Sequence, residues 1–232
     1  MRRVEHIMGL PITLHTPHGE SGEVVFELLR EADRRFSPFR PDSEVCRGEH
    51  SPELKEILAL CAEYERDTGG AFRARLPGRP LDPCGVVKGW AVQRAADALR
   101  ATGVRDFCLN AGGDVVAAGE PEPGRPWSIG IRHPDLAHEV CAVFEVRDRA
   151  VATSGTYERG HHIIDGRTGR PVHDLVSLTV IADDLTVADG TSTAAFAMGR
   201  DGIEWAAARP GCEVFAVDTE RRVYRSTGTI TV

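Results

Sequence analysis

Residues 85–109 read GVVKGWAVQRAADALRATGVRDFCL, and the spacing of their apolar residues changes in the middle. From about Gly85 to Thr102 the small and apolar residues recur every three or four positions, which predicts a helix. Gly103 is a stop signal, and the short apolar run Phe107-Cys108-Leu109 follows it as a predicted strand. The change from a helical to a strand pattern indicates an α+β fold.

The same helical spacing predicts further helices on either side of this one. The clearest begins after Ser51, a typical N-cap residue, with Pro52 in its first turn, and ends at Gly69-Gly70. The others are predicted over residues 21–35, 185–198 and 203–208.

Strands are predicted mainly in the second half of the chain, where apolar residues alternate with polar or small ones. These stretches lie from Trp127 to Ile131, from Val140 to Val146 and over Val176–Ala182, with two or three antiparallel strands between Val214 and Val232. We therefore expect residues 1–232 to form one continuous α+β domain.

The composition argues against several classes of protein. The 232 residues carry 28 Lys and Arg against 35 Asp and Glu, and the net charge of −7 disfavours a nucleic-acid partner. No stretch approaches the ~18 apolar residues that cross a bilayer, and no apolar signal segment follows the arginines near the N-terminus. The expected location is the cytoplasm, with no membrane segment.

The cysteines are expected to be reduced structural thiols among core-like or small residues. No C-x-x-C pair occurs, which disfavours a cysteine-zinc site. The six are Cys46, Cys61, Cys84, Cys108, Cys141 and Cys212.

Residues 81–90, LDPCGVVKGW, form a glycine-containing turn that opens a helix. Free backbone N–H groups and the helix dipole favour an anion at such a position. Lys88 lies in the first turn, against the dipole, so we expect it to have another partner. The spacing differs from the phosphate-binding pattern G-x-x-x-x-G-K-[ST]. A plain helix start with a solvated lysine is the alternative.

Residues 110–114, NAGGD, directly follow a predicted strand. Two glycines permit backbone conformations closed to other residues and let a ligand approach the chain. Asp114 could accept hydrogen bonds from sugar or base groups. The alternative is an ordinary tight turn between strands.

Residues 152–169, ATSGTYERGHHIIDGRTG, concentrate hydroxyls, an arginine, two histidines and an acid. Histidine is the usual general base near neutral pH. If His161 and His162 lie on a strand, only one of them can point into a given site, which disfavours zinc binding by both. The alternative is a surface loop with incidental histidines.

Residues 188–194, ADGTSTA, are predicted to be helical. Asp189 and Thr193 are four apart and would share a face, where their oxygens suit Mg²⁺. The neighbouring residues are small or apolar, so we expect this face to be partly buried, and a buried aspartate needs a partner. The alternative is that Thr193 bonds back to the helix and Asp189 caps its start.

Together and in this order, the four segments resemble the motifs of the FAD:protein FMN transferase family, also called ApbE. The motifs are D-x-x-G-x-x-K-G at residues 82–89, N-x-G-G-D at 110–114, T-S-G-x-Y-x-R at 153–159, H-I-x-D-x-x-T-G at 162–169 and A-D-x-x-x-T at 188–193. Weaker similarities lie at Met8-Gly9, Phe36-Ser37, Ser43-Glu44 and residues 69–72, so the resemblance extends from Met8 to Gly199. It implies helices packed on mostly antiparallel sheets, similar to a T-fold.

The resemblance also implies a reaction. Such enzymes use Mg²⁺ to cleave the pyrophosphate of FAD, attach FMN through a phosphoester to a threonine of a target flavoprotein, and release AMP. By this resemblance Asp189, Thr193 and a backbone carbonyl near Gly85 would hold Mg²⁺, and His162 would take the proton of the threonine. The residues implied to contact FAD are Met8, Phe39, Asp82, Lys88, Gly112, Gly113, Asp114, Thr153, Ser154, Gly155 and His162.

The chain departs from the family pattern in several places. Arg73-Ala74-Arg75 stand where the family usually has Asp-Pro-Thr, Gln93 where it has Asp, Gly166 where it has Pro, and Phe39 near a usual Tyr or Trp. The family is also usually exported. Two alternatives follow: Mg²⁺-dependent hydrolysis of FAD to FMN and AMP, and FAD binding without turnover. The sequence leaves open the acceptor, a homodimer and a need for a monovalent cation.

Overall fold

The computed structural model describes residues 1–136, 138–156 and 160–226. The predicted helices are confirmed within a few residues at each end. In the described residues the helices are α1 (Glu23–Phe36), α2 (Glu44–Arg47), α3 (Pro52–Asp67), α4 (Cys84–Ala101), α5 (Leu185–Ala197) and α6 (Asp201–Ala207). The Ser51 hydroxyl accepts a hydrogen bond from the Leu54 N–H at 3.2 Å, so Ser51 caps α3 as expected.

The strands of the described residues are β1 (Arg2–Ile7), β2 (Leu10–His15), β3 (Phe107–Ala111), β4 (Asp114–Ala118), β5 (Trp127–Arg132), β6 (Val140–Val146), β7 (Arg149–Gly155), β8 (Ile164–Asp165), β9 (Arg170–Pro171), β10 (Leu175–Ala182), β11 (Glu213–Asp218) and β12 (Val223–Arg225). Most of them belong to one antiparallel sheet with the order β1-β2-β3-β4-β7-β10-β11-β12. Two further pairs, β5–β6 and β8–β9, form small antiparallel sheets of their own.

The large sheet separates two apolar cores. On one face α1, α4 and α5 pack against the sheet through residues such as Phe26, Leu99 and Phe196, and α3 packs on α4 and α5. On the other face β5 and β6 cover the sheet, where Trp127 and Phe144 meet Phe215 of β11 and its neighbours. The protein is therefore layered as helices, sheet and hairpin, and the expected α+β class with helices on mostly antiparallel sheets is confirmed.

The first two strands were not predicted from the sequence. β1 pairs antiparallel with β2 from Arg2 opposite His15 to Ile7 opposite Leu10. β1 carries mostly charged and half-exposed residues, because it is the edge strand and only Ile7 is buried. The turn between them puts Met8 and Gly9 at positive φ, 56° and 70°, a hairpin conformation that glycine favours.

The segment at residues 110–114 contains a strand that was also not predicted. Asn110 and Ala111 end β3, Gly112 and Gly113 form the turn, and Asp114 begins β4. The two glycines have φ of 61° and 106°, so the segment does form the tight turn between strands that was given as the alternative. β4 escaped prediction because all five of its residues are buried and no alternation marks them.

Two expectations and one of the alternatives, the capping of α5 by Asp189, need correction. His161 and His162 lie between β7 and β8 and not on a strand. Cys46 and Cys84 are exposed, so not every cysteine lies in core-like surroundings. Asp184, not Asp189, caps α5: its carboxylate accepts from the Thr186 and Val187 N–H groups at 2.6 and 3.2 Å.

Some predicted features fall beyond these residues. Tyr157 and Arg159 of the T-S-G-x-Y-x-R motif, and the predicted strand region after residue 226, lie outside the described residues. Within the part of the chain that is described, no helix combines the length and apolarity needed to cross a bilayer.

Candidate active site

A cavity of about 770 Å³ opens where α4, α5, the β1–β2 turn and the end of β7 meet. This volume is typical of sites for cofactors and similar small molecules. Twelve of the sequence-predicted site residues line it: Met8, Phe39, Asp82, Gly85, Lys88, Gly112, Thr153, Ser154, Gly155, His162, Asp189 and Thr193. Gly113 and Asp114 are not among the residues that line it.

Two helices bring the predicted metal ligands beside the lysine. The Gly89 N–H on α4 donates to Asp189 Oδ2 on α5 at 2.8 Å, and both groups are buried. A Cβ at Gly89 would lie 2.6 Å from the Leu185 carbonyl oxygen and 2.7 Å from the Asp189 Cβ. Glycine is therefore required for α4 and α5 to approach this closely.

Lys88 has the partner that its position in the helix led us to expect. Its Nζ lies 3.1 Å from Asp189 Oδ1 and forms a closer ion pair with Asp114. Burial lowers the pKa of Lys88, but the two carboxylates outweigh burial and the net shift is upward. The alternative of a solvated lysine is thus wrong, because Lys88 is the cation of a buried cluster with two acids.

Asp189 is the electrostatically strained member of this cluster. Only 2% of the residue is exposed. Burial raises the pKa of Asp189 to about 7, against the opposing effect of Lys88. When both carboxylates are ionised, the single lysine leaves a net negative charge, so ionisation of Asp189 favours an additional cation.

Asp114 lies behind Lys88 and off the cavity wall. The residue is 2% exposed, and its Oδ1 accepts a hydrogen bond from the Thr153 N–H at 3.0 Å. Through these contacts Asp114 fixes Lys88 on one side and the cavity end of β7 on the other.

A chain of hydroxyls continues from the cluster toward β7. Ser154 Oγ lies 3.0 Å from Ser192 Oγ and 3.4 Å from Thr193 Oγ1. Ser192 Oγ also donates to the Asp189 carbonyl at 3.0 Å. Sequence analysis did not single out Ser192, although it lies between Asp189 and Thr193 in the same motif. These contacts fix the side of α5 that faces the cavity.

Asp189, Thr193 and Gly85 offer three kinds of oxygen: a carboxylate, a hydroxyl and a main-chain carbonyl. A Cβ at Gly85 would lie 3.1 Å from Thr193 Cγ2, so Gly85 and Thr193 face each other across the two helices. A carbonyl has two lone pairs, so the Gly85 oxygen can accept a helical hydrogen bond and still face a cation. No group of three or more His, Cys, Asp or Glu that could hold a metal occurs among the described residues. The oxygen set is that of a hard ion, not of zinc.

Only one of the two adjacent histidines faces the cavity. His162 lines it, and its Nδ1 lies 3.0 Å from the Gly160 carbonyl oxygen. That contact assigns the Nδ1 proton to the hydrogen bond and leaves Nε2 as the basic nitrogen. His161 instead packs against His173, with 4.3 Å between the ring centroids.

The other end of the cavity is apolar at its rim. Met8 in the β1–β2 turn and Phe39 after α1 both line it, and Phe39 is 82% exposed. Phe36 and Phe72 also line the cavity, and Phe72 lies against Gly85. The cavity thus combines an apolar, partly aromatic lining with the charged groups of Lys88 and Asp189. Sequence analysis missed Arg79, whose loop before α4 completes the wall and carries no motif.

The fold and the cavity define an α+β protein with a site large enough for a cofactor. Aromatic side chains line part of this site, and Lys88 lies in it beside oxygen ligands suited to a hard cation. The ApbE family model matches residues 73–216, which is more than half of the chain. The protein belongs to the ApbE family.

The curated relatives are FAD:protein FMN transferases. The one from Vibrio cholerae is 34% identical over 143 residues, which cover 57% of this chain and 43% of the relative. The one from Rhodobacter capsulatus is 38% identical over 152 residues, covering 62% and 29%. The chain therefore aligns with less than half the length of these relatives.

Solved structures of similar proteins share the fold across nearly the whole chain. The flavin transferase ApbE of Vibrio cholerae superposes with a TM-score of 0.83 at 24% identity, over 98% of this chain and 97% of that one. The apo flavinyl transferase ApbE of Pseudomonas stutzeri gives 0.82 at 27% identity, over 97% and 95%.

Proposed function

We propose that the protein is a Mg²⁺-dependent FAD:protein FMN transferase that attaches FMN to a threonine of an acceptor protein. The observation that supports this most is the shared cavity of His162, Lys88 and the oxygen set on α5. In the reaction the threonine oxygen forms a bond to the phosphorus that carries riboflavin. The bond from that phosphorus to the bridging oxygen breaks, and AMP leaves.

The residues around Asp189 fit a magnesium ion. Carboxylate, hydroxyl and carbonyl oxygens are the ligands that Mg²⁺ accepts in proteins, and the cluster holds one cation against two acids. Asp189, Thr193 and the Gly85 carbonyl would hold the ion. When bound, it supplies positive charge against the charge that develops on the pyrophosphate.

Lys88 and the hydroxyls orient the pyrophosphate. The Lys88 ammonium reaches the cavity from a position fixed by Asp114 and Asp189, so it needs little rearrangement to face an anion. Ser154 and Gly155 end β7 on the same wall. Gly112 and Asp82 line the cavity from the β3–β4 turn and from the loop before α4, and together these groups position the phosphorus.

His162 is the proposed general base. Its Nε2 takes the proton of the threonine hydroxyl as the oxygen attacks, and the hydrogen bond from Nδ1 to Gly160 keeps the ring in that tautomer. The exposed rim beside Met8 and Phe39 would receive the flavin ring by stacking and apolar contact.

The test is to incubate the protein with FAD, Mg²⁺ and a threonine-containing candidate acceptor, and to weigh the acceptor by mass spectrometry. The proposal predicts an added FMN and one AMP released for each acceptor modified. His162→Ala should abolish transfer and still bind FAD, whereas His161→Ala is the matched control and should transfer normally. Loss of FAD binding in His162→Ala would reassign the residue to binding, and no added FMN on any acceptor would contradict the transferase.

A second candidate is hydrolysis of FAD to FMN and AMP. His162 is exposed at the cavity mouth, so a water molecule can reach the base in place of a threonine. AMP release in the absence of any acceptor would favour this candidate, and strict dependence on the acceptor would exclude it.

A further inference from the structure

α4 and α5 pair in a single antiparallel register along the site. Gly85 faces Thr193 and Gly89 faces Asp189. One helical turn further from the cavity, the side-chain oxygen of Gln93 accepts a hydrogen bond from the Leu185 N–H at 2.8 Å. The three contacts are spaced by four residues on both helices, so they lie on one continuous contact line.

The two contacts nearest the cavity involve glycines, which have no side chain to interlock. At these two positions α4 therefore has no side chain that interlocks with α5, so directional bonds between the two helices contribute to their register. Among the described residues two hydrogen bonds and the Lys88–Asp189 ion pair join these helices. The Gln93 bond is the one that uses no group of the cavity.

Gln93 also completes the start of α5. An α-helix begins with N–H groups that lack a partner within the helix. Asp184 accepts from the Thr186 and Val187 N–H groups, and the Leu185 N–H is left to Gln93. Gln93 is 7% exposed, and its amide nitrogen donates to Asp97 Oδ1 at 3.0 Å, which fixes the orientation of the amide.

We infer that Gln93 is a positioning residue for the cation site. By holding the Leu185 N–H it sets the register of α5 on α4. That register places Asp189 and Thr193 opposite Gly85 and Lys88. This inference rests on the proposed function for the identity of the site, and it adds a residue that touches neither substrate nor cation. Loss of the bond removes the contact that holds the start of α5 on α4, and this loosens the oxygen set one and two helical turns further on. Outer residues that orient metal ligands typically change affinity by about 10- to 100-fold.

The test measures binding of Mn²⁺ alone, as a probe for Mg²⁺, to the full chain by the electron paramagnetic resonance signal of the free ion. Gln93→Ala should bind Mn²⁺ about tenfold more weakly than wild type. Arg94→Ala is the matched control, because Arg94 is the next residue on α4 and its exposed side chain faces Glu56 and the Trp90 ring, away from α5 and the cavity. Asp189→Asn should abolish the same binding, which identifies the site that is measured.

A double variant that restores the hydrogen bond distinguishes an effect on helix register from a general loss of stability. In Gln93→Glu combined with Asp97→Asn, one carboxylate oxygen can accept from the Leu185 N–H and the other from the new amide. This double variant should recover most of the Mn²⁺ affinity. Thermal unfolding of each variant is recorded, and Gln93→Asn, which is one methylene too short to reach Leu185, replaces Gln93→Ala if the latter does not fold.

The outcomes distinguish this inference from the proposed function. Wild-type Mn²⁺ affinity in Gln93→Ala overturns the inference, even when FMN transfer is observed for the wild-type protein. Weaker binding that the double variant does not recover also overturns it, because a merely structural loss would look the same. If the Gln93 series behaves as expected but no acceptor gains FMN, the inference stands and the transferase proposal fails.

Discussion

Asp189 and Asp218 are both buried aspartates that face a cation, a lysine for Asp189 and two arginines for Asp218. Their environments nevertheless shift their pKa values in opposite directions. Asp218, at the end of β11, is fully buried and accepts five hydrogen bonds. They come from the Arg200, Arg222 and Tyr224 side chains and from the Glu220 and Arg222 N–H groups, at 2.8 to 3.1 Å. Burial alone would raise the pKa of Asp218, but Arg222, its backbone N–H and Tyr224 reverse the sign and lower it strongly.

Asp189 has far fewer partners. It accepts from the Gly89 N–H and faces Lys88, which it shares with Asp114. Its pKa is raised to about 7 because burial is not fully offset. Asp218 and Glu220, by contrast, face two arginines, so that cluster is neutral. The Asp218 cluster, whose carboxylate has many donors and balanced charges, stabilises the fold. The Asp189 cluster has fewer donors and one lysine for two acids, so it is available for a ligand.

The largest expected effect is on catalysis at Asp189. Asp189→Asn removes the charged ligand of the proposed ion, and we expect FMN transfer to fall at least about a hundredfold. The melting temperature should stay equal or rise, because the charge at this position is disfavoured by burial. Rates at saturating Mg²⁺, together with thermal unfolding without Mg²⁺, measure both effects.

The control for Asp189 is Asp184→Asn. It removes a carboxylate from the start of the same helix and keeps a good N-cap residue, so both rate and stability should change little. Transfer by Asp189→Asn within a few-fold of wild type would contradict its role as a ligand.

The opposite pattern is expected at Asp218. Asp218→Asn leaves Arg200 and Arg222 beside a neutral amide, and we expect the melting temperature to drop by several degrees. The rate of FMN transfer below that temperature should not change, since Asp218 does not line the cavity. Glu220→Gln is the control, because Glu220 pairs with the same arginines at the exposed surface. An equal loss of stability in both variants would show that burial of Asp218 is not what matters.

The pH dependence of stability should follow from the lowered pKa of Asp218. An acid whose pKa is lower in the folded state stabilises the fold above the ordinary carboxyl pKa of ~3.9, and this stabilisation is lost as the pH falls toward the folded value. The urea midpoints of wild type and Asp218→Asn should therefore differ at neutral pH and converge in acid. A difference that stays constant from neutral pH down to the acid transition would contradict this.

The sequence predicted the residues of the cavity better than it predicted the cluster of Asp218 with Arg200 and Arg222. Lys88 against the helix dipole, and Asp189 with Thr193 at four-residue spacing, are local signals, and each correctly indicated a partner or a shared face. The paired glycines at 112 and 113 gave the turn for the same reason, since a positive φ depends on the residue itself. Whether these residues hold FAD and Mg²⁺ stays a prediction.

Features that depend on distant parts of the chain escaped the sequence analysis. Asp218 meets Arg200 only because α6 begins beside β11, and no spacing rule relates the two residues. Gln93 was noted as a departure from the family, but its contact with Leu185 requires the register of two helices. β1 was missed because an exposed edge strand carries charged residues where an interior strand would be apolar.

The smallest expected effect concerns a single hydrogen bond of the Asp218 cluster. Tyr224→Phe removes one of the five donors to Asp218, the hydroxyl at 2.9 Å, and we expect a loss of about 1 kcal/mol in the free energy of unfolding measured with urea. In the Asp218→Asn background the same change should have less effect, because the charged acceptor is gone. The difference between the two backgrounds isolates the hydrogen bond from the packing of the ring. Equal losses in both backgrounds would mean that the ring alone stabilises β12, and that fewer partners hold the Asp218 carboxylate than the geometry indicates.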